Sequence, residues 1–192
     1  MGASYFTDPL VLIIEALSSL YILAVLMRFL LQWCGADFYN PISQFLVRAT
    51  QPPLRLMRRY IPPIGKIDTS SLILMLFLQI LANFLIGLLQ GGALGIGALT
   101  LIAIMELINL LFNVFIFSII ARALLSWLNP GRFDAASSIL YSLTEPVLNI
   151  FRRVIPDLGG IDLSPLAALL FLQVARMVIL PPLSQLAALI AW

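Results

Sequence analysis

The sequence predicts an all-α integral membrane protein. Four transmembrane helices form two parallel-oriented two-helix repeats, each with interfacial amphipathic helices between its spans. Three observations predict this. The 192 residues are 61% hydrophobic and only 10% charged, where a soluble domain is about a quarter charged. A chain of this length has too little core to hide so much apolar surface from water, so lipid must be its solvent. Four apolar runs are long enough to span. Finally, the stretch from Arg28 to Gln79 occurs again, without a gap, from Arg122 to Gln173, at an offset of 94. Trp33/Trp127, Thr50/Thr144, Pro52/Pro146, Arg58/Arg152, Arg59/Arg153, Asp68/Asp162 and Ser70/Ser164 all match. Polar residues in ungapped register mark one structural unit duplicated, with too long a period for a solenoid.

The first span is expected from Leu10 to Trp33, about 35 Å long at 1.5 Å per residue, with Pro9 at its start where a missing N–H costs nothing. The preceding MGASYFTDP has no Lys or Arg, unlike a secretory signal, so this span is expected to be retained. The second span covers 70–89. A Gly-rich connection, 91–98, leads to a third span at 99–128, long enough to tilt. The fourth runs over 164–190, and its Pro181-Pro182 pair is expected to kink or break the helix. The domain boundaries are therefore 1–90 for the first repeat, 91–98 for the connection and 99–192 for the second repeat.

Between the spans of each repeat lies a polar segment, Cys34 to Thr69 and Asn129 to Ser164, with amphipathic parts at 40–61 and 134–155. Leu54, Met57, Tyr60 and Ile61 alternate with Arg55, Arg58 and Arg59 at helical spacing, and Val147, Leu148, Phe151 and Val154 with Arg152 and Arg153. Thr50-Gln51-Pro52 and Thr144-Glu145-Pro146 read as a cap followed by Pro at a helix start, so a shorter piece is expected before each. Asn40 opens the first such piece and Asp134 the second. These helices are too short and charged to span. They rest either in the membrane interface or on the protein's own helices; both bury the same face. Ile67-Asp68-Thr69-Ser70 and Ile161-Asp162-Leu163-Ser164 then cap the next helix.

Both polar segments follow an odd-numbered span, so they share a side. They hold eight of the basic residues: Arg48, Arg55, Arg58, Arg59, Lys66, Arg132, Arg152 and Arg153. The opposite side holds none. This bias places them in the cytoplasm and both termini outside.

Within the spans, Arg28 and Arg122 lie about 7 Å deeper than Trp33 and Trp127. Either they snorkel, or they bond to Asp68 and Asp162, tying span one to span two; the second is the working expectation. Gln79 and Gln173 act as interhelical glue or line a polar path with Arg176, Glu15 and Glu106. Arg176 has no counterpart, because position 82 is Ala; Asn109 and Asn113 match it best in depth. Intramembrane charge is a functional signal by default.

With no histidine, His-ligated haem, His-containing zinc sites and Ser-His-Asp chemistry are excluded. The single cysteine, Cys34, is expected as a small apolar residue and precludes an intrachain disulfide. No catalytic residue, metal ligand or cofactor is expected.

The blocks Arg-x-Leu-Leu-x-Trp, Arg-Arg, Ile-Pro and Ile-Asp-x-Ser, present twice, resemble the YggT (YlmG) family in its two-copy form, over nearly the whole chain. The second copy departs at Ala135 and Val147, where the first has Pro41 and Pro53. The resemblance implies a membrane protein without established enzymatic activity, associated with osmotic-stress tolerance, ion homeostasis, cell division and, in plastids, haem attachment. A non-enzymatic accessory or organising protein is therefore expected, presenting Arg55, Arg58, Arg59, Arg152 and Arg153 to anionic lipids or a partner. A small oligomeric channel or transporter subunit is the alternative. The expected partners are the bilayer and a further copy or another membrane protein, with no nucleic acid.

Overall fold

The computed structural model describes residues 3–92, 94–128, 134–155 and 162–190. Asn129, Arg132 and Ile161, named above, lie outside the described residues. Six helices follow in order: α1 (Ala3–Trp33), α2 (Pro41–Met57), α3 (Thr69–Leu89), α4 (Ile96–Leu128), α5 (Ala135–Arg152) and α6 (Ser164–Ile190). No strand occurs among the described residues. Four helices are long and apolar enough to cross a membrane, over Thr7–Trp33, Thr69–Leu89, Ile96–Ser126 and Ser164–Ile190. They expose Leu12, Leu17, Phe77, Phe171 and Met177 around the outside, as a multi-pass membrane protein requires of its lipid-facing surface.

α1 packs on α3, α4 on α6, and α3 on α4; α2 lies against α1 and α3, and α5 against α4 and α6. One buried cluster takes residues from all six helices. Ile22, Val25, Leu26 and Leu30 of α1 meet Leu54 of α2, Leu74 and Met75 of α3, Phe115 and Ile119 of α4, Leu143 and Leu148 of α5, and Leu172 of α6. A smaller cluster joins Leu31, Leu46 and Ile139, so α2 and α5 also meet each other at that end of the bundle. There the Asn40 side chain joins the two halves. Its Oδ1 accepts from Ile42 N at 2.9 Å, capping α2, while its Nδ2 donates to Ala135 O, the first residue of α5, at 2.7 Å. Asp134 caps α5 by accepting from Ser137 N at 2.8 Å.

The helices differ from expectation at their prolines. α2 and α5 each run unbroken through the Thr-x-Pro step. Thr50 Oγ1 does not cap a new helix; it donates backward to Leu46 O at 2.7 Å, and Thr144 Oγ1 to Leu140 O at 2.7 Å. Pro53 cannot donate to Ala49 O, and the Tyr21 hydroxyl of α1 donates there instead at 3.4 Å. A side-chain donor thus replaces a lost helix bond. α6 likewise continues past Pro181-Pro182, where Ser184 Oγ donates to Pro181 O at 2.8 Å. α1 begins upstream of Pro9, and α4 begins at Ile96, inside the stretch expected as a connection.

Gly35 and Gly65 make two of the turns next to these helices. Gly35, at φ 67°, ends α1 in the left-handed region, and Ala36 N donates to Leu31 O at 2.9 Å. Gly65, at φ 61°, folds Ile64 onto Ile67 through a pair of backbone bonds of 3.1 and 3.0 Å.

Candidate functional site

The polar groups concentrate where α2 and α5 cross the ends of α1 and α4. Arg28 reaches α2 from α1 and is 7% exposed. Its Nη1 donates to Thr50 Oγ1 at 2.9 Å and Val47 O at 3.3 Å, and its Nη2 to Gln51 Oε1 at 2.7 Å. Arg122 does the same from α4. It donates to Thr144 Oγ1 at 2.8 Å, lies 2.7 Å from Glu145 Oε2, and stacks over the Tyr141 ring at 3.9 Å. Each threonine hydroxyl is turned by its own back-bond so that its lone pair faces the guanidinium.

The expected bonds from Arg28 to Asp68 and from Arg122 to Asp162 are therefore not made. The arginines reach across to α2 and α5, and the two aspartates are taken by other cations. Asp68, 3% exposed, accepts from the Arg58 guanidinium and from Ser71 Oγ at 2.7 Å. Asp162 accepts from Arg152 Nε at 3.0 Å and from Ser164 N at 2.9 Å. Arg152 also lies 2.8 Å from Glu145 Oε1. The helix-capping role of the aspartate is thus met at Asp162, whereas Asp68 makes no such bond to the backbone of α3. Ser70 Oγ donates to Ile61 O at 2.9 Å and Thr69 Oγ1 to Pro62 O at 2.6 Å, which fastens the start of α3 to the chain leaving α2.

Burial opposes ionisation of Asp68, but the bonds from Arg58 and Ser71 outweigh it and hold the carboxyl below the usual range. Asp162 is lowered in the same way, its burial outweighed by Ser164 and Arg152. Burial also opposes the charge on Arg152, yet Asp162 and Glu145 keep it more firmly protonated.

Of the five arginines expected at a surface, Arg58 and Arg152 are thus held in internal pairs. Arg55, Arg59 and Arg153 are exposed and form no ion pair among the described residues. Beside them Leu56 and Tyr60, and Ile150 and Val154, are exposed as well, as is Phe45 earlier on α2. The buried stripe of α2 is Ser43, Leu46, Thr50 and Leu54, and that of α5 is Ser137, Ile139, Leu143, Thr144 and Leu148. Each helix therefore packs one side on the protein and leaves a second apolar set outside.

The intramembrane candidates are only partly brought together. Glu106 Oε2 of α4 accepts from Gln79 Nε2 at 2.8 Å and Asn83 Nδ2 at 2.7 Å, both on α3. This bridge joins the two repeats through the middle of the bundle. Arg176 turns instead to Asn113, at 3.3 Å. Gln173 and Glu15 are exposed, and no hydrogen bond among the described residues links either of them, or Arg176, to the Glu106 cluster. Three or more His, Cys, Asp or Glu residues grouped for a metal do not occur among the described residues.

The sequence reading missed Thr50, Thr144, Gln51 and Glu145 as partners. The equal spacing of Arg28 to Thr50 and of Arg122 to Thr144, 22 residues in each copy, was the available signal.

A family model described as CCB3/YggT matches twice, over residues 7–89 and 101–183. The chain is 41% identical over 176 residues to the uncharacterized protein PA0392 of Pseudomonas aeruginosa, covering 91% of this chain and 89% of that one. It is 33% identical over 170 residues to the uncharacterized protein YggT of Escherichia coli (strain K12), covering 88% of each. Over 67 residues it is 45% identical to YlmG homolog protein 2, chloroplastic, of Arabidopsis thaliana, which is 35% of this chain and 26% of that protein. No solved structure matches the chain.

Proposed function

The chain belongs to the CCB3/YggT family, and on that premise we propose that it is a non-enzymatic accessory or organising protein of the bacterial inner membrane. In this reading both termini face outward, the two repeats run parallel, and α2 and α5 lie at the cytoplasmic interface. The physiological setting, osmotic stress together with envelope and division organisation, follows from the resemblance described above.

The observation that carries the proposal is the surface of α2 and α5. Leu56 stands exposed beside Arg55 and Arg59, Phe45 is exposed nearer the start of α2, and Ile150 and Val154 stand exposed beside Arg153. An interfacial helix needs apolar side chains to enter the acyl boundary and cations to meet lipid phosphates, each cation contributing about 1 kcal/mol. The Arg58–Asp68 and Arg152–Asp162 pairs hold the ends of the two helices to the spans that follow. The partners are then anionic lipids and a second copy or another membrane protein, with no cofactor and no nucleic acid.

The test is complementation. A deletion strain should grow slowly after hyperosmotic shock or misplace its septa. The wild-type gene should rescue it, and a gene carrying Arg55→Gln, Arg59→Gln and Arg153→Gln should not. Full rescue by the neutralised gene, at equal protein level, refutes the interfacial role.

A further inference from the structure

The two repeats differ at one corresponding position in a way that changes their charge. In the second, Glu145 stands between two arginines: its Oε2 is 2.7 Å from Arg122 and its Oε1 2.8 Å from Arg152. With Asp162 on Arg152, two cations meet two carboxylates. In the first repeat the residue at Glu145's place is Gln51. Arg28 then has only neutral acceptors, in Thr50, Val47 and Gln51. Arg58 has Asp68, so two cations share one carboxylate. One positive charge is left over, on Arg28, a residue 7% exposed.

The structure opens a space at that place. A cavity of about 490 Å³ is lined by Arg28 and Arg58 together, with Gln32, Gln51, Ser43 and Phe38 among its walls. Ser43 Oγ is buried and has no hydrogen-bond partner among the described residues. A buried hydroxyl left unpaired is costly, and a buried cation without a counter-ion more so. Both are answered by one kind of occupant, an anion carrying several acceptor oxygens. Guanidinium groups suit the oxygens of a phosphate, which they meet in a planar fork. The volume falls in the range of small-ligand pockets.

We propose that this cavity binds a phosphate oxyanion, bridging Arg28 and Arg58 as the Glu145 carboxylate bridges Arg122 and Arg152, with Ser43 donating to it. The phosphate belongs either to an anionic glycerophospholipid headgroup or to a soluble phosphate. The lipid source rests on the interfacial position of α2 proposed above; the site itself rests only on the cavity and its charges. The second repeat fills its own site with Glu145, so the intact chain holds one such anion.

The test uses the full chain in detergent, with native mass spectrometry to count bound ligand. The probes are phosphatidylglycerol, phosphatidylcholine and inorganic phosphate. Wild type should retain one phosphatidylglycerol in preference to phosphatidylcholine. Gln51→Glu gives the first repeat the carboxylate of the second and should weaken retention about tenfold, the loss of a charge-assisted bond. Because it supplies a counter-ion, this variant should unfold no more readily than wild type. Glu145→Gln should create a second site and bind a second lipid. Arg55→Gln with Arg59→Gln, which leaves the cavity intact, should keep the single bound lipid while reducing adsorption to anionic vesicles. Equal retention by wild type and Gln51→Glu overturns the site. Loss of the bound lipid in the Arg55/Arg59 variant, with none in Gln51→Glu, overturns it too and leaves only surface adsorption. If inorganic phosphate binds with the same Gln51 dependence and phosphatidylglycerol does not, the site stands and its lipid source falls. If the cavity lipid is retained but the Arg55/Arg59 variant adsorbs to vesicles like wild type, the interfacial proposal fails and the site survives.

Discussion

Replacing Asp68 by Ala should destabilise the protein far more than the same change at its repeat counterpart, Asp162. Asp68 is 3% exposed and Ser71, which donates to it, is fully buried. The substitution removes a hydrogen bond between charged groups, worth about 1.5–3 kcal/mol. It also leaves the Ser71 hydroxyl unpaired, at about 1–3 kcal/mol. The Arg58 side chain is 34% exposed and can turn to water, which places the first contribution at its lower end. The expected loss is about 3 kcal/mol. At Asp162 the carboxylate side chain is 37% exposed and Arg152 keeps Glu145. There the loss is an exposed ion pair and one bond to Ser164 N, about 1 kcal/mol in all. The gap of about 2 kcal/mol is roughly thirtyfold in the unfolding equilibrium. Reversible unfolding in mixed micelles of dodecyl maltoside and dodecyl sulfate, followed by tryptophan fluorescence, measures it. Asp68→Asn, which keeps an acceptor for Ser71, should fall between the two. Equal losses at Asp68 and Asp162 would show that burial of the first pair does not decide its strength.

The carboxyls of Asp68 and Asp162 are held below their usual range, so the stability they confer is complete above the unfolded value of about 4 and is lost as pH falls through the folded one. Unfolding in micelles should be nearly independent of pH from 5 to 8 and ease below about 4, and Asp68→Asn should flatten that acid limb. Glu106→Ala should cost about 2 kcal/mol, because Gln79 and Asn83 lose their shared acceptor within the bundle; the same micelle titration reads it, and an unchanged midpoint refutes the bridge. Arg176→Leu should leave potassium and chloride flux across proteoliposomes at the protein-free background, as for wild type; flux that depends on Arg176 would favour a channel. Gly65→Ala, at φ 61° with open space around it, should cost about 1 kcal/mol by backbone strain alone.

The four spans were legible because lipid leaves hydropathy almost alone in setting where they run. The caps at Asn40 and Asp134 were legible because capping is local chemistry. The partner of Arg28 was not. Thr50 stands before Pro52, where a helix start and a proline inside a continuous helix look alike in sequence, and it is packing against α1, through Tyr21 and Arg28, that supports the continuous helix. Asp68 was matched to Arg28 by depth, although Arg58 reaches it from the chain leaving α2. Depth ordered the intramembrane residues but not their azimuth around the bundle. Depth did single out Asn113 for Arg176, but it could not show that Gln79 and Asn83 face Glu106 from α3.

Asn40 spends its two side-chain functions on different halves of the molecule, one on its own helix and one on Ala135. The first unit's helix start is therefore a clasp closed on its sibling. In a chain with a single unit the same amide would have to find its acceptor in water or in a neighbouring molecule, whereas here duplication supplies it within one chain.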